Sequence, residues 1–170
     1  MSIKTQRLLD RAQKLTKKGE LEGAREIYSS ILKTSPDNQV ANKGLLSIEK
    51  NYAKKPERAQ LDQVMKLYSS GLIQESLDAV NTIIKEHPNE PTLFNISGAC
   101  YSAIGPMESA IKDFQKAINL KPDYAEAHYN LGVVYDRGEG VGRDEKKAKH
   151  FWELAAMEGH EMARYNLGIC

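Results

Sequence analysis

Gly98 recurs as Gly132, a step of 34 residues, and Leu131-Gly132 recurs as Leu167-Gly168, a step of 36. A period in this range marks stacked helix-turn-helix units, each too small to bury its own apolar face, so the chain is expected to fold as an all-α solenoid rather than as a globule. Solenoids of this kind present surfaces, and chemistry is carried only where a site is added.

The spacing is clearest from Pro91 to Pro122, which reads Phe94-x-x-Ser97-Gly98-x-x-Tyr101, then Ala110-x-x-x-Phe114, then Ala117 and Pro122. This segment resembles the tetratricopeptide repeat (TPR), with Ser97 standing where Leu is usual and Ile96 expected to supply part of the missing packing. Gly98 and Ala110 fall where the two helices of the hairpin cross, and a larger side chain there would hold the axes apart. Gly105 supplies a helix end at which positive φ costs little, and Pro122 closes the second helix.

Pro88 lies 34 residues before Pro122, and residues 57–90 form a degenerate copy with Leu67, Gly71, Ser76, Val80 and Ile83 at comparable positions. Pro36 lies 52 before Pro88, yet residues 1–38 hold another copy with Leu8, Ala12, Leu15, Gly19, Ala24, Tyr28 and Ile31 in order. The surplus, residues 39–56, is expected to be an unpaired helix carrying Val40, Leu45, Leu46 and Ile48, then a linker from Asn51 to Pro56. Pro56 disfavours helical geometry at Lys55, so the chain is expected to break there.

After a TPR at 91–124 the pattern changes. Leu131-Gly132 and Tyr135 open residues 125–160 as before, but Gly138-Glu-Gly140-Val141 follows, with Asp144, Lys147-Ala148, Phe151-Trp152, Ala155-Ala156 and Gly159. This resembles a Sel-one-like repeat, a relative of the TPR with a longer loop between its helices. Ala163, Tyr165, Asn166, Leu167 and Gly168 then begin another, so residues 161–170 are expected to hold the first helix of an incomplete repeat. The resemblance implies a right-handed superhelix of antiparallel hairpins. A natural excerpt of a longer repeat protein and an engineered hybrid of two repeat types both account for the seam.

The longest apolar runs, such as Leu131 to Tyr135, fall far short of the roughly 20 residues that span a bilayer. The start, Met-Ser-Ile-Lys-Thr-Gln-Arg, lacks the apolar run of a secretory leader, which leads to the expectation of a soluble, cytoplasmic protein. Cys100 lies inside a helical pattern and Cys170 ends the chain, so no disulfide framework is expected. Residues 1–56 carry 12 Lys and Arg against 6 Asp and Glu, whereas residues 57–170 carry 12 against 17. Nucleic acid is nonetheless disfavoured as a partner, because the cations do not recur at one position per repeat as a base-reading array requires.

No catalytic, metal or cofactor site is expected. The glycines of residues 138–142 follow a helix rather than a strand and lack the Gly-Lys-Ser/Thr ending of a phosphate loop. His87, His128, His150 and His160 have no Cys or carboxylates at ligand spacing. No Gly-x-Ser-x-Gly elbow occurs, and the chain is read as not an enzyme.

In TPRs the second, fifth, sixth and ninth residues of each first helix face the concave groove. Here these are Thr92, Asn95, Ile96 and Ala99, then Glu126, Tyr129, Asn130 and Val133. The resemblance implies a peptide-binding groove at Asn95, Tyr129, Asn130, Val133 and Asn166, with Asn130 and its counterpart Asn166 placed to pair with an extended backbone. The cationic clamp that holds chaperone tails is not expected, because its positions hold Leu61, Met65, Ile96, Glu126 and Asn130. The expected function is a protein-interaction scaffold. The alternatives are a substrate-docking segment of a larger enzyme and a hybrid with no native partner. The uncapped last helix offers a route to self-association.

Overall fold

The computed structural model describes residues 2–168, and among them ten helices and no strand occur. Cys170 lies outside the described residues. The helices form two compact units, one comprising the chain to Pro56 with Lys85–Asn89, the other Glu57–Ile84 with Glu90 onward.

The first unit holds α1 (Ile3–Lys18), α2 (Leu21–Thr34) and α3 (Gln39–Ala53). Ser2 caps α1 by accepting from the Thr5 amide at 3.1 Å, and Asn38 caps α3 by accepting from the Ala41 amide at 3.0 Å. Both satisfy donors that a helix start leaves without partners. Leu9, Ala12, Ala24, Tyr28, Ala41 and Ile48 lie in one core, to which all three helices contribute. The helix expected to stand unpaired therefore packs on the hairpin before it. Its fit rests on Gly44, where an added Cβ would overlap the Tyr28 ring.

The expected linker is also shorter than residues 51–56, because α3 continues to Ala53. Tyr52 packs against the core, and the Arg25 guanidinium lies 5.9 Å over its ring, which favours keeping that turn helical. Lys54 is already extended, one residue before the position that Pro56 restricts. Its carbonyl accepts a hydrogen bond from His87 Nδ1.

The second unit holds the hairpins α4 (Arg58–Ser69) with α5 (Ile73–Glu86, whose last two residues count with the first unit), α6 (Pro91–Ile104) with α7 (Met107–Leu120) and α8 (Ala125–Arg137) with α9 (Glu145–Met157), followed by α10 (Glu161–Asn166). At the α6/α7 crossing, a Cβ on Gly98 would lie 2.7 Å from Phe114 Cε1 and 3.2 Å from the Ala110 carbonyl. At the α8/α9 crossing, a Cβ on Gly132 would overlap the Trp152 ring. Gly105 ends α6 at φ 116°, its amide donating to the Tyr101 carbonyl at 2.9 Å.

The glycine-rich loop before α9 turns back onto the stack. Val141 packs into the core with Met107 and Phe151. Gly140 lies so close to Met107 that a Cβ there would sit 2.9 Å from the Met107 Cβ. The Asp144 amide donates to the Tyr135 carbonyl at 2.9 Å, and the Asp144 carboxylate accepts from the Lys147 amide at 3.0 Å to start α9.

Ser97, the departure from the usual Leu, is fully buried and donates to the Asp113 carboxylate at 2.6 Å. Ile96 packs among Val64, Leu93 and Cys100 and takes up apolar space beside it. Ser76 is also fully buried, donating to the Val64 carbonyl at 3.0 Å while accepting from the Cys100 thiol at 3.6 Å. These bonds satisfy hydroxyls that would otherwise cost stability inside the stack.

Two outcomes are expected. Gly132→Leu should lower stability by about 2–3 kcal/mol through overpacking, read as a lower denaturation midpoint at unchanged slope. Burial raises the Asp113 carboxyl above its ordinary value, with the Ser97 hydroxyl and Lys112 working against that rise. The folded chain therefore holds the Asp113 proton more tightly than the unfolded chain does. Its contribution to stability is full below the ordinary carboxylate range and declines as pH rises through the raised value. Comparing denaturation across that window, Asp113→Asn should show a smaller decline than the parent.

Candidate functional site

The first helices of successive hairpins, α6 and α8, bring Asn95 and Asn130 together. Asn130 Nδ2 donates to Asn95 Oδ1 at 3.1 Å, and Asn95 is only 8% exposed. Burial pushes the nearby Tyr124 phenol up, Thr92 and Asn95 act against that rise, and Glu126 and Glu90 act with it. Asn95, buried and bonded to Asn130, acts as a support. Asn130 is half-buried and keeps its carbonyl oxygen and a second N–H for another partner.

Beside this pair lies a cleft of about 280 Å³. Tyr129, Asn130 and Val133 of α8 form one wall, Ala99, Ser102 and Ala103 of α6 the other. Tyr68 of α4 and Phe114 of α7 complete it, and Arg137 stands at the last turn of α8. The space exists because α6 places Ala at 99 and 103, four residues apart on one helix face.

Of the five residues expected to form the groove, Tyr129, Asn130 and Val133 line the cleft, as does Ala99 among those expected to face it, while Asn95 bonds to Asn130 outside the lining. Asn166 does not join them; it is exposed at the end of α10, one repeat beyond the α6/α8 pair. Ile96 is buried in the core instead of facing a groove. Tyr68, Ser102, Ala103 and Arg137 were not among the expected residues. Their signal was the helical stride itself, which carried one turn past the ninth position reaches Ser102 and Ala103 on α6 and Arg137 on α8.

Glu126, at the opposite end of α8, is engaged. Its carboxylate accepts from His160 Nε2 at 3.0 Å, while His160 Nδ1 accepts from the Ala163 amide at 3.2 Å. Acceptance at Nδ1 fixes the proton on Nε2. The same ring stacks on Tyr129 with centroids 4.3 Å apart and planes 17° apart. One imidazole thus caps α10, orients Tyr129 and occupies Glu126. Among the described residues no three His, Cys, Asp or Glu side chains converge as a metal-ligand set, and no helix is long and apolar enough to cross a membrane.

Residues 101–137 match the TPR repeat model, and residues 125–160 match the Sel1 repeat model, so a TPR passes into a Sel1 repeat through the shared helix α8. The chain is 25% identical over 143 residues to the peroxisomal targeting signal receptor of Candida glabrata, covering 84% of this chain and 22% of that protein. It spans a quarter or less of the length of the curated relatives it matches. Among solved structures, MamA superposes with a TM-score of 0.53 at 22% identity, covering 99% of this chain and 86% of that one. YrrB, described as a TPR protein with an unusual peptide-binding site, superposes with a TM-score of 0.56 at 18% identity, covering 95% and 90%. These likenesses place the fold among the TPR helical repeats.

His160→Ala removes the α10 cap, the stack on Tyr129 and the bond to Glu126. Hydrogen exchange at the Ala163 and Arg164 amides should accelerate by roughly tenfold, matching a cap worth about 1 kcal/mol together with the lost ring contact. Exchange in α6 should stay unchanged.

Proposed function

We propose that this chain is a protein-interaction module whose cleft between α6 and α8 accepts an extended peptide segment of a partner. The observation that carries this reading is Asn130, which is held in orientation by Asn95 and still has a donor and an acceptor to offer. An extended segment brings an unpaired N–H and C=O, which one carboxamide can meet at once. Tyr129 and Val133 supply apolar contact on either side of that amide, and a cleft of about 280 Å³ suits side chains rather than a whole helix. A peptide-binding site in YrrB, which shares the fold, is in keeping with this use of the scaffold.

The reading assigns recognition, not catalysis, to these residues. It includes a cytoplasmic setting, in keeping with the free thiol of buried Cys100. Self-association would draw on a separate surface, where Met157 and Tyr165 are 79% and 77% exposed.

Peptides selected from a random phage-displayed library against the immobilised chain should shift the amide resonances of Tyr129, Asn130 and Val133. Asn130→Ala should weaken them about fivefold, near 1 kcal/mol, with the thermal midpoint nearly unchanged. Recovery of no binder, or equal affinity for parent and variant, would overturn the reading.

A further inference from the structure

We infer that the peptide taken by this cleft carries a carboxylate side chain, seated on Arg137, next to a small aliphatic residue seated between Ala99 and Val133. The inference rests on the groove reading above and names the chemistry of its partner.

The cleft has one formally charged residue in its lining, Arg137, and no carboxylate. The guanidinium is exposed, and none of the ion pairs among the described residues includes it. Its neighbour Asp136 is turned to Arg143, which it meets at 3.6 Å, and Arg143 also meets Glu145 at 3.1 Å. The nearest acid in sequence is thus committed to the loop before α9 and leaves Arg137 unneutralised.

Glu126, the other acid on this helix, stands eleven residues away. At about 1.5 Å per residue, that separates it from Arg137 by roughly 16 Å along the axis, beyond the screening length in physiological salt. Its carboxylate is moreover occupied by His160. The lining therefore carries a cation without an ion pair among the described residues, while Glu126, bonded to His160, lies outside it. A lone guanidinium matches a singly charged carboxylate, with which it forms two parallel bonds. A phosphoryl group, close to two negative charges, calls for a cluster of cations that this cleft does not have.

The apolar part of the cleft limits what accompanies the acid. Ala99, Ala103 and Val133 are short, while Tyr68 and Tyr129 close the sides, so a side chain of aliphatic size fills the space. Along α8 the order is Asn130, Val133, Arg137, so Asn130 meets the peptide backbone on the far side of the aliphatic subsite from the acid.

The test uses the full chain and the same random-peptide selection. Binders should carry Asp or Glu at one fixed position beside a small aliphatic residue. Arg137→Gln should weaken such a peptide roughly three- to tenfold, with Arg137→Lys recovering part of the loss. Replacing the peptide acid by its amide should cost the parent the same factor and cost the Arg137→Gln chain nothing further. Added salt should weaken the parent complex more than the variant complex. Binders without a fixed acid, or an acid-to-amide change that costs parent and variant equally, would overturn the inference. If those binders still weaken with Asn130→Ala, the groove reading stands without it; if they respond to neither substitution, both fall.

Discussion

An aromatic ring laid on a glycine sets how closely helices approach in both units. Phe114 lies on Gly98 and Trp152 on Gly132 in the second unit, and Tyr28 lies on Gly44 in the first. Each ring fills the space a Cβ would take, so the axes come together without a void and the flat side chain is buried in one step. The order is not fixed. Glycine precedes the ring in the α6/α7 and α8/α9 hairpins and follows it between α2 and α3, where it lets a third helix join the first two.

Three departures from a purely apolar stack are satisfied polar contacts, whereas His128 Nδ1 and Trp152 Nε1 are buried without a hydrogen-bond partner. Ser97 meets Asp113, Ser76 links the Val64 carbonyl to Cys100, and Asn95 supports Asn130. Each ties one helix to another with a directional bond, whereas apolar contacts alone tolerate sliding. The cleft grows out of the same arrangement. Phe114, the ring at the α6/α7 crossing, also lines the cleft, where Ala99, Ser102 and Ala103 of α6 stand with Tyr129, Asn130 and Val133 of α8.

Much of the fold was legible because repeat period, small residues at crossings and proline or glycine at helix ends are local signals. Gly98 with Ala110, Gly105 and Pro122 each marked a structural event within one hairpin. The passage from TPR to Sel1 repeat was readable in the glycines and Asp144 of the loop before α9. Less legible was α3, whose apolar residues read as an unpartnered helix; only the Tyr28–Gly44 fit shows what it packs on. Of the residues expected to face a groove, Tyr129, Asn130 and Val133 line the cleft between α6 and α8, whereas Asn95 is buried beneath its bond to Asn130 and Asn166 stands apart.

The sequence by itself determined the helices and the pairing of most of them into hairpins, because these follow from spacing along one stretch of chain. Tertiary structure decided which side chains from different hairpins meet. Asn95 and Asn130 are 35 residues apart, Glu126 and His160 34, and Tyr68 and Arg137 stand farther still. Their convergence depends on the rotation and offset of one hairpin against the next, set by the shapes of many packed side chains together. That collective geometry left Arg137 without an ion pair in the lining of the cleft and brought His160 onto Glu126.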